Sequence, residues 1–301
     1  MGNVVDTSSV CVEWPPIMAG FSSWFSYLKV GFETLGIPVS TNDALKKLHD
    51  DKKASGIIPL YITIDGNKHR VWYDVADFEK DHYERLMEQG DFYFKIQTRA
   101  DLPLRERFFP IGQIVCSSSY PLHTARLRRL NWRDDKAYDI IHACRATAFD
   151  MRVKAAEIIL ANSRWKSFCV VAHFRNRPEV PESVRGNKLR FMDHMHKQAS
   201  SKVCLALPGV GGDWTWRHTE IMGIGAFLLT IKPDFILPGN PVDCWGECER
   251  DLSDFEEKVD YWLNNDRERL RRAKGGQAYY DRYLSPPAQA KYVIRIIKDS
   301  L

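Results

Sequence analysis

The run from Val203 to Ile231, VCLALPGVGGDWTWRHTEIMGIGAFLLTI, constrains the fold more than any other stretch. Two short apolar segments, Val203 to Leu207 and Ala226 to Ile231, flank a glycine-rich loop and a helical stretch from Trp216 to Met222. Strands joined through a helix pair in parallel, because the crossover uses a length of chain that a hairpin does not need. Strands this uniformly apolar are buried on both faces, as parallel strands are when helices cover them. The alternation recurs upstream, where Phe168 to His173 reads as a strand and Asn187 to Gln198 as a helix. The second half is therefore expected to form a parallel α/β sheet.

The first half alternates less regularly. Val10 to Trp14 reads as a strand closed by Pro15-Pro16, and Phe21, Trp24, Phe25, Leu28 and Phe32 stand at helical spacing before Gly36. Ile57 to Ile64 is a β-branched run ended by the turn Asp65-Gly66-Asn67. Asp77 to Glu88 reads as a helix, Asp91 to Ile96 as a strand, and Ile111 to Cys116 as another strand. Lys136 to Asn162 reads as one long helix or two short ones. Ser253-Asp254-Phe255-Glu256 matches a capping box, ahead of a helix that buries Phe255, Val259 and Trp262. At roughly 150 residues per domain the chain holds about two domains. The expected division is 1–150 for the first domain and 151–285 for the second. A C-terminal helix, 286–301, is expected to pack back on the first.

Composition removes several classes. The chain is 44% hydrophobic and 27% charged, which excludes intrinsic disorder. Its net charge of +4 permits an anionic ligand without demanding nucleic acid. The clusters Arg126, Arg128, Arg129, Arg133 and Arg267, Arg269, Arg271, Arg272 read as solvated faces, so no nucleic-acid partner is expected. No apolar run reaches the roughly 18 residues that span a bilayer, and the polar N-terminus lacks a secretory pattern, so a cytoplasmic location is expected. The seven cysteines are odd in number and scattered, which argues against a disulfide framework. Cys244 and Cys248 lack two further ligands for zinc, and Asp134-Asp135 follows no apolar strand, so no metal is expected.

The glycine loop carries the chemistry. Gly209, Gly211 and Gly212 let the backbone approach a ligand closely. Asp213 or Thr215 can cap the helix starting near Trp216 and Arg217, whose free amides and dipole favour an anion such as phosphate. Arg217 adds a permanent charge with forked donors. Glu220 shares its face three residues on, where a carboxylate can hydrogen-bond a ribose diol. Gly223 and Gly225 mark places where backbone must pass something closely. The plain alternative is a solvated Arg–Glu pair on a structural helix. The loop matches neither G-x-G-x-x-G nor G-x-x-x-x-G-K-[ST].

Ser201-Lys202-Val203-Cys204-Leu205, Pro208, Trp214, Thr215, Arg217, Glu220 and Gly223/Gly225 together resemble the donor-binding segment of exostosin-like glycosyltransferases, with Pro208 one residue late. The resemblance covers about thirty residues and extends weakly to Ile297. It implies a GT-B architecture: α/β, with two Rossmann-like domains facing a cleft and a nucleotide-sugar held by the second. The implied activity is hexosyl or pentosyl transfer in glycan biosynthesis, with a UDP-sugar as first choice, a glycan or other hydroxyl acceptor, no metal, and inversion. Gly209, Thr215, Trp216, Arg217 and Glu220 would hold the donor. Arg175, after the first strand of the second half, would face the diphosphate. Trp14 and Trp24 would stack on the acceptor sugar, and Glu13 would be the general base, with Asp65 and Asp74 as rival carboxylates and Lys95 as an outside candidate. Lys232 to Trp245 follows a strand and would touch the base or sugar. A non-catalytic nucleotide- or glycan-binding module of the same fold is the alternative.

Overall fold

The computed structural model describes residues 6–16, 26–49, 56–76, 83–101, 105–115, 117, 119–147, 149–174, 178–209 and 212–301. In chain order the first elements are β1 (Val10–Trp14), α1 (Tyr27–Thr34), β2 (Val39–Thr41), α2 (Ala44–His49), β3 (Ile57–Ile64), β4 (Asn67–Asp74), α3 (Tyr83–Met87), β5 (Phe92–Lys95), β6 (Thr98–Arg99), β7 (Phe108–Pro110) and α4 (Tyr120–Asn131). Then come β8 (Tyr138–Arg145), α5 (Phe149–Ala161), β9 (Ser167–Ala172), α6 (Phe191–Ala199), β10 (Ser201–Leu205), α7 (Trp216–Gly223) and β11 (Leu228–Ile231). The chain ends with β12 (Phe235–Ile236), β13 (Gly246–Cys248), α8 (Phe255–Asn264), α9 (Asp266–Tyr279), a π-helical turn (Tyr280–Leu284) and α10 (Pro286–Asp299). These elements form two compact units. Unit 1 is Met1–Pro121, Phe235–Asn240 and Asp281–Leu301, and unit 2 is Leu122–Asp234 and Pro241–Tyr280.

Unit 2 carries the expected parallel sheet, in the order β13-β11-β10-β8-β9, with every pairing parallel. Ile140, Val203, Leu205, Leu229 and Ile231 on its strands bury against Ala155 and Ile159 of α5 and Phe255, Val259 and Trp262 of α8. The stretch expected to be helical from Lys136 begins instead with β8. Tyr138-Asp139-Ile140-Ile141 is β-branched at its centre and pairs with both β10 and β9, and this central place in the sheet overrides helical spacing. Residues 122–150 thus belong with unit 2, ahead of the division expected at 150. The capping box at Ser253 does not form. Asp254 Oδ1 accepts the Glu249 N–H (2.8 Å), and Glu256 accepts from Asn162 Nδ2 (3.1 Å).

Unit 1 holds a six-stranded mixed sheet, β2-β1-β3-β4-β5-β7. The departure from a parallel sheet has a local cause. Asp65 (φ 50°) and Gly66 (φ 84°) both take left-handed backbone, the signature of a two-residue hairpin, so β4 returns directly alongside β3. Farther on, β4, β5 and β7 are parallel. Cross-strand stacks Tyr93–Phe108 (5.3 Å) and Phe94–Phe109 (5.4 Å) fix β7 at Phe108–Pro110, and Ile111, Ile114 and Val115, expected as a strand, are buried in irregular chain. α10 packs on α1 at Gly31, where a Cβ would lie 2.1 Å from the Pro286 carbonyl oxygen, and Gln289 Nε2 donates to the Gly112 carbonyl (2.8 Å). Among the described residues no helix is long and apolar enough to cross a membrane.

Candidate functional site

β10 delivers the chain to the carboxyl edge of the unit 2 sheet, and α7 starts there with Thr215 as its N-cap (φ −95°, ψ 164°). The Thr215 N–H donates to His218 Nδ1 (3.0 Å), and His218 Nε2–H donates to Thr230 Oγ1 on β11 (2.9 Å). The histidine is therefore neutral with one tautomer set by its partners. Burial agrees, pulling its pKa down to about 3. Trp214 is fully buried and stacks on His218 (4.5 Å between centroids) and edge-on to Trp245 (5.2 Å). The helix start is thereby anchored from three directions. Thr215 rather than Asp213 is the cap, since Asp213 pairs with Arg250, whose Nη1 donates to its Oδ1 at 3.1 Å.

Arg217 lies on the first turn of α7. Its Nη1 donates to Glu220 Oε2 (3.0 Å) and to His194 Nδ1 on α6. The Arg217 side chain keeps 22% exposure while that of Glu220 keeps none. The pair is not a solvated surface bridge: a closed carboxylate holds a guanidinium whose other side is open. His194 accepts from Arg217 and stays neutral, since burial and the Arg217 charge push its pKa well below the ordinary value. Gly209 donates its N–H to the Gly212 carbonyl (2.9 Å), and a Cβ there would stand 3.1 Å from Thr215 Cγ2. The loop thus passes tightly over the helix cap, which is what its glycine permits. Trp216 is half-buried beside it.

The structure unites Gly209, Thr215, Trp216, Arg217 and Glu220 and leaves other expectations elsewhere. Arg175 and Trp24 lie outside the described residues. Glu13 is on β1, where Lys68 Nζ (2.5 Å) and Asn42 Nδ2 bind it, and the Lys68 ammonium holds its carboxyl below the usual range. A depressed pKa weakens a general base at neutral pH. Trp14, expected to offer a ring to a sugar, is buried, because alternate residues of β1 point into the unit 1 core. Asp65 sits in the hairpin turn and accepts from the Ser9 hydroxyl. Asp74 and Lys95 are buried together (3.2 Å), with the Tyr93 hydroxyl also on Asp74, so they saturate one another. Gly225 (φ 74°) ends α7 in a Schellman motif, Gly225 N–H to Met222 O (2.9 Å) and Ala226 N–H to Ile221 O (3.1 Å), facing Trp132 and Gln277 rather than the loop. Phe235–Asn240, expected at the unit 2 edge, belongs to unit 1, where β12 pairs with β6.

The arginine clusters are partly solvated, as expected, with Arg126, Arg129 and Arg267 exposed, and partly engaged within the protein. Arg128 donates to the Gly223 carbonyl (2.7 Å), Arg269 to the Trp262 carbonyl (2.8 Å), and Arg271 and Arg272 bind Glu268. Cys244 and Cys248 are buried thiols facing the Val242 and Thr230 carbonyls. Among the described residues no group of three His, Cys, Asp or Glu is placed to hold a metal ion. Sequence reasoning missed His218 and His194. A signal existed for His218, which stands three residues after the Thr215 cap, where a capping box puts a side-chain acceptor. None existed for His194, which meets Arg217 only through the fold.

Comparison with known proteins gives three findings. A search of curated sequences returned no match. Among solved structures, Anabaena Alr3699/HepE in complex with UDP is similar at TM-score 0.50 and 10% identity, over 91% of this chain and 89% of that one. A glycosyltransferase from Rickettsia africae ESF-5 is similar at TM-score 0.49 and 9% identity, over 94% of this chain and 75% of that one. At 10% identity the likeness to the UDP complex bears on the fold alone, which is mixed α/β with Rossmann-like sheets of the GT-B glycosyltransferase kind. A family model described as glycosyl transferase-like matches residues 121–294, more than half of the chain. On that match, the chain belongs to the glycosyl transferase-like family.

Proposed function

We propose that the chain transfers a hexosyl or pentosyl group from a nucleotide-sugar, a UDP-sugar first, to a hydroxyl of a glycan or glycoconjugate in the cytoplasm, without a metal ion and with inversion. The one observation that carries this is Arg217: a partly open guanidinium on the first turn of a helix at the carboxyl edge of a parallel sheet, gripped from behind by Glu220 and His194. Open α/β sheets take ligands at that edge, and helix starts favour phosphate. In transfer, the acceptor oxygen bonds to the anomeric carbon as the bond to the diphosphate oxygen breaks. The acceptor proton leaves to a base, and Arg217 and the amides of α7 receive the charge developing on the diphosphate. Gly209, Thr215 and Trp216 shape the approach, with Arg175 as a second cation. The matches at Ser201–Leu205, Trp214, Arg217 and Glu220 support the exostosin-like subtype. Glu220, which has no exposed surface, acts through Arg217 by holding its guanidinium from the protein side rather than by reaching a ribose hydroxyl itself. Glu13 is the candidate base for the acceptor proton, although the Lys68 ammonium bound to it holds its carboxyl below the usual range.

A thermal-shift screen with UDP, GDP, CDP and ADP tests the proposal, since a ligand that binds only the folded chain raises Tm. A shift with one of them, with Arg217→Lys weakening its affinity about tenfold or roughly 1.4 kcal/mol, is the expected result. Shifts with none refute it. Nucleotide binding without sugar release from any UDP-sugar favours a non-catalytic module. Glu220→Gln is expected to weaken UDP and inorganic pyrophosphate alike, as a residue that orients Arg217 would, whereas a loss confined to UDP would assign Glu220 to the ribose instead.

A further inference from the structure

Arg152, one turn into α5, is buried at 8% exposure, yet no carboxylate pairs with it among the described residues. Its fork bridges two neighbouring parallel strands at their carboxyl ends. Nη1 donates to the Arg145 carbonyl at the end of β8 (2.8 Å) and to the Thr147 hydroxyl, and Nη2 donates to the Leu207 carbonyl just past β10 (3.0 Å). Nε makes no hydrogen bond. The same Nη2 lies 3.8 Å from the place a Cβ on Gly209 would take, and that place is 3.1 Å from Thr215 Cγ2. A chain of contacts therefore runs from Arg152 through Leu207 and Gly209 to the Thr215 cap and the helix turn that carries Arg217.

A buried guanidinium held only by neutral oxygens is costly, since the effective penalty for an enclosed ion is several kcal/mol. Burial lowers its pKa, and its charged neighbour is Arg217, which adds repulsion. A purely structural staple between two turns needs no charge, as an Asn or Gln amide spans similar groups. A charge that no protein anion neutralises makes sense beside a site that takes an anion.

We propose that Arg152 is a positioning residue of the donor site: it holds the turns after β8 and β10 in register beneath Gly209 and makes that edge electropositive for a diphosphate. This rests on the donor-site reading above. Its role is exerted through the Leu207 carbonyl and through its field, because its own side chain is enclosed.

The experiment measures inorganic pyrophosphate, UDP and uridine binding by calorimetry, together with Tm, for the wild type, Arg152→Lys, Arg152→Gln and Thr147→Val. Arg152→Lys keeps the charge and loses the fork, and is expected to weaken pyrophosphate and UDP about threefold. Arg152→Gln keeps a hydrogen-bonding side chain and loses the charge, and is expected to weaken both at least tenfold while uridine is unchanged. Thr147→Val, a near-isosteric change, is expected to fold and to weaken pyrophosphate about twofold, which keeps the test alive if the arginine variants do not fold. Lower Tm with unchanged pyrophosphate affinity in the variants that fold, or parallel loss of uridine and UDP, overturns the proposal and leaves a structural staple. A wild type that binds neither pyrophosphate nor UDP overturns the donor-site reading and this role together. Wild-type binding with no change in Arg152→Gln overturns only the role of Arg152.

Discussion

Glu220 has no exposed surface, and its carboxylate has a guanidinium three residues before it in the chain. Removing that guanidinium takes an ion-pair partner from a buried carboxylate, and breaking a buried pair costs about 3–5 kcal/mol. Arg217→Ala is therefore expected to lose about 3 kcal/mol in urea denaturation, with the double variant Arg217→Gln/Glu220→Gln recovering most of it. An undiminished midpoint in Arg217→Ala means the pair opens to solvent. The enclosed histidines predict a pH dependence. Burial holds His142 at about 4, His218 at about 3, and His194 well below its ordinary value. Their folded values are depressed, so the unfolded chain binds more protons below the ordinary histidine pKa. Their contribution is complete above about pH 6.5 and is lost as pH falls from there toward 4 and 3, by up to about 1.4 kcal/mol per pH unit for each. Denaturation at pH 7.5, 6 and 5 checks this: stability is expected to drop steeply below 6.5, and to drop less in His218→Gln relative to its own value at pH 7.5.

At the scale of elements, the contact of α1 with α10 depends on the missing side chain of Gly31. A methyl group there meets the Pro286 carbonyl at 2.1 Å, so the helices must separate. Gly31→Ala is expected to destabilise unit 1 by about 1–3 kcal/mol, the usual range for overpacking, despite the better helix propensity of alanine. A denaturation midpoint unchanged or raised would show that α10 shifts freely. The same scale explains α7. Its start is fixed by Thr215, His218 and Trp214, its end by Gly225 in left-handed backbone; the Thr215 cap was visible as a residue type, whereas Gly225 was read as a close approach and not as a cap. β8 was not visible: Tyr138–Arg145 has no strict alternation, because it is buried between β10 and β9 on both edges, and helical spacing fits its apolar residues equally well.

At the scale of the molecule, the last helix completes the first unit, although the chain between belongs mostly to the second. Val293, Ile294 and Ile297 are fully buried. At about 1.5–3 kcal/mol for each, they supply roughly 5–9 kcal/mol, comparable with the whole stability of a domain at about 5–15. Ending the chain before Ser285 is expected to unfold unit 1. Hydrogen exchange would then find β3, β4 and β5 unprotected while β8, β10 and β11 stay protected. Full protection of β3–β5 in the shortened chain would mean that unit 1 is closed without α10.

The sequence by itself determined the parallel sheet of unit 2 and the place of Arg217 and Glu220 on its edge. Apolar strands, a glycine loop and a capped helix within thirty residues are local signals, and short-range sterics and hydrogen bonding decide them. The hairpin at Asp65-Gly66 was equally local, yet which strand it returned was not read. Only the tertiary structure decided that Glu220 is enclosed, that His194 reaches Arg217 from α6, that Trp14 faces the core, and that Phe235–Asn240 joins the first unit. Each depends on which surfaces meet across long stretches of chain. That choice is made by burial and packing of whole elements and leaves no mark on the residues beside it.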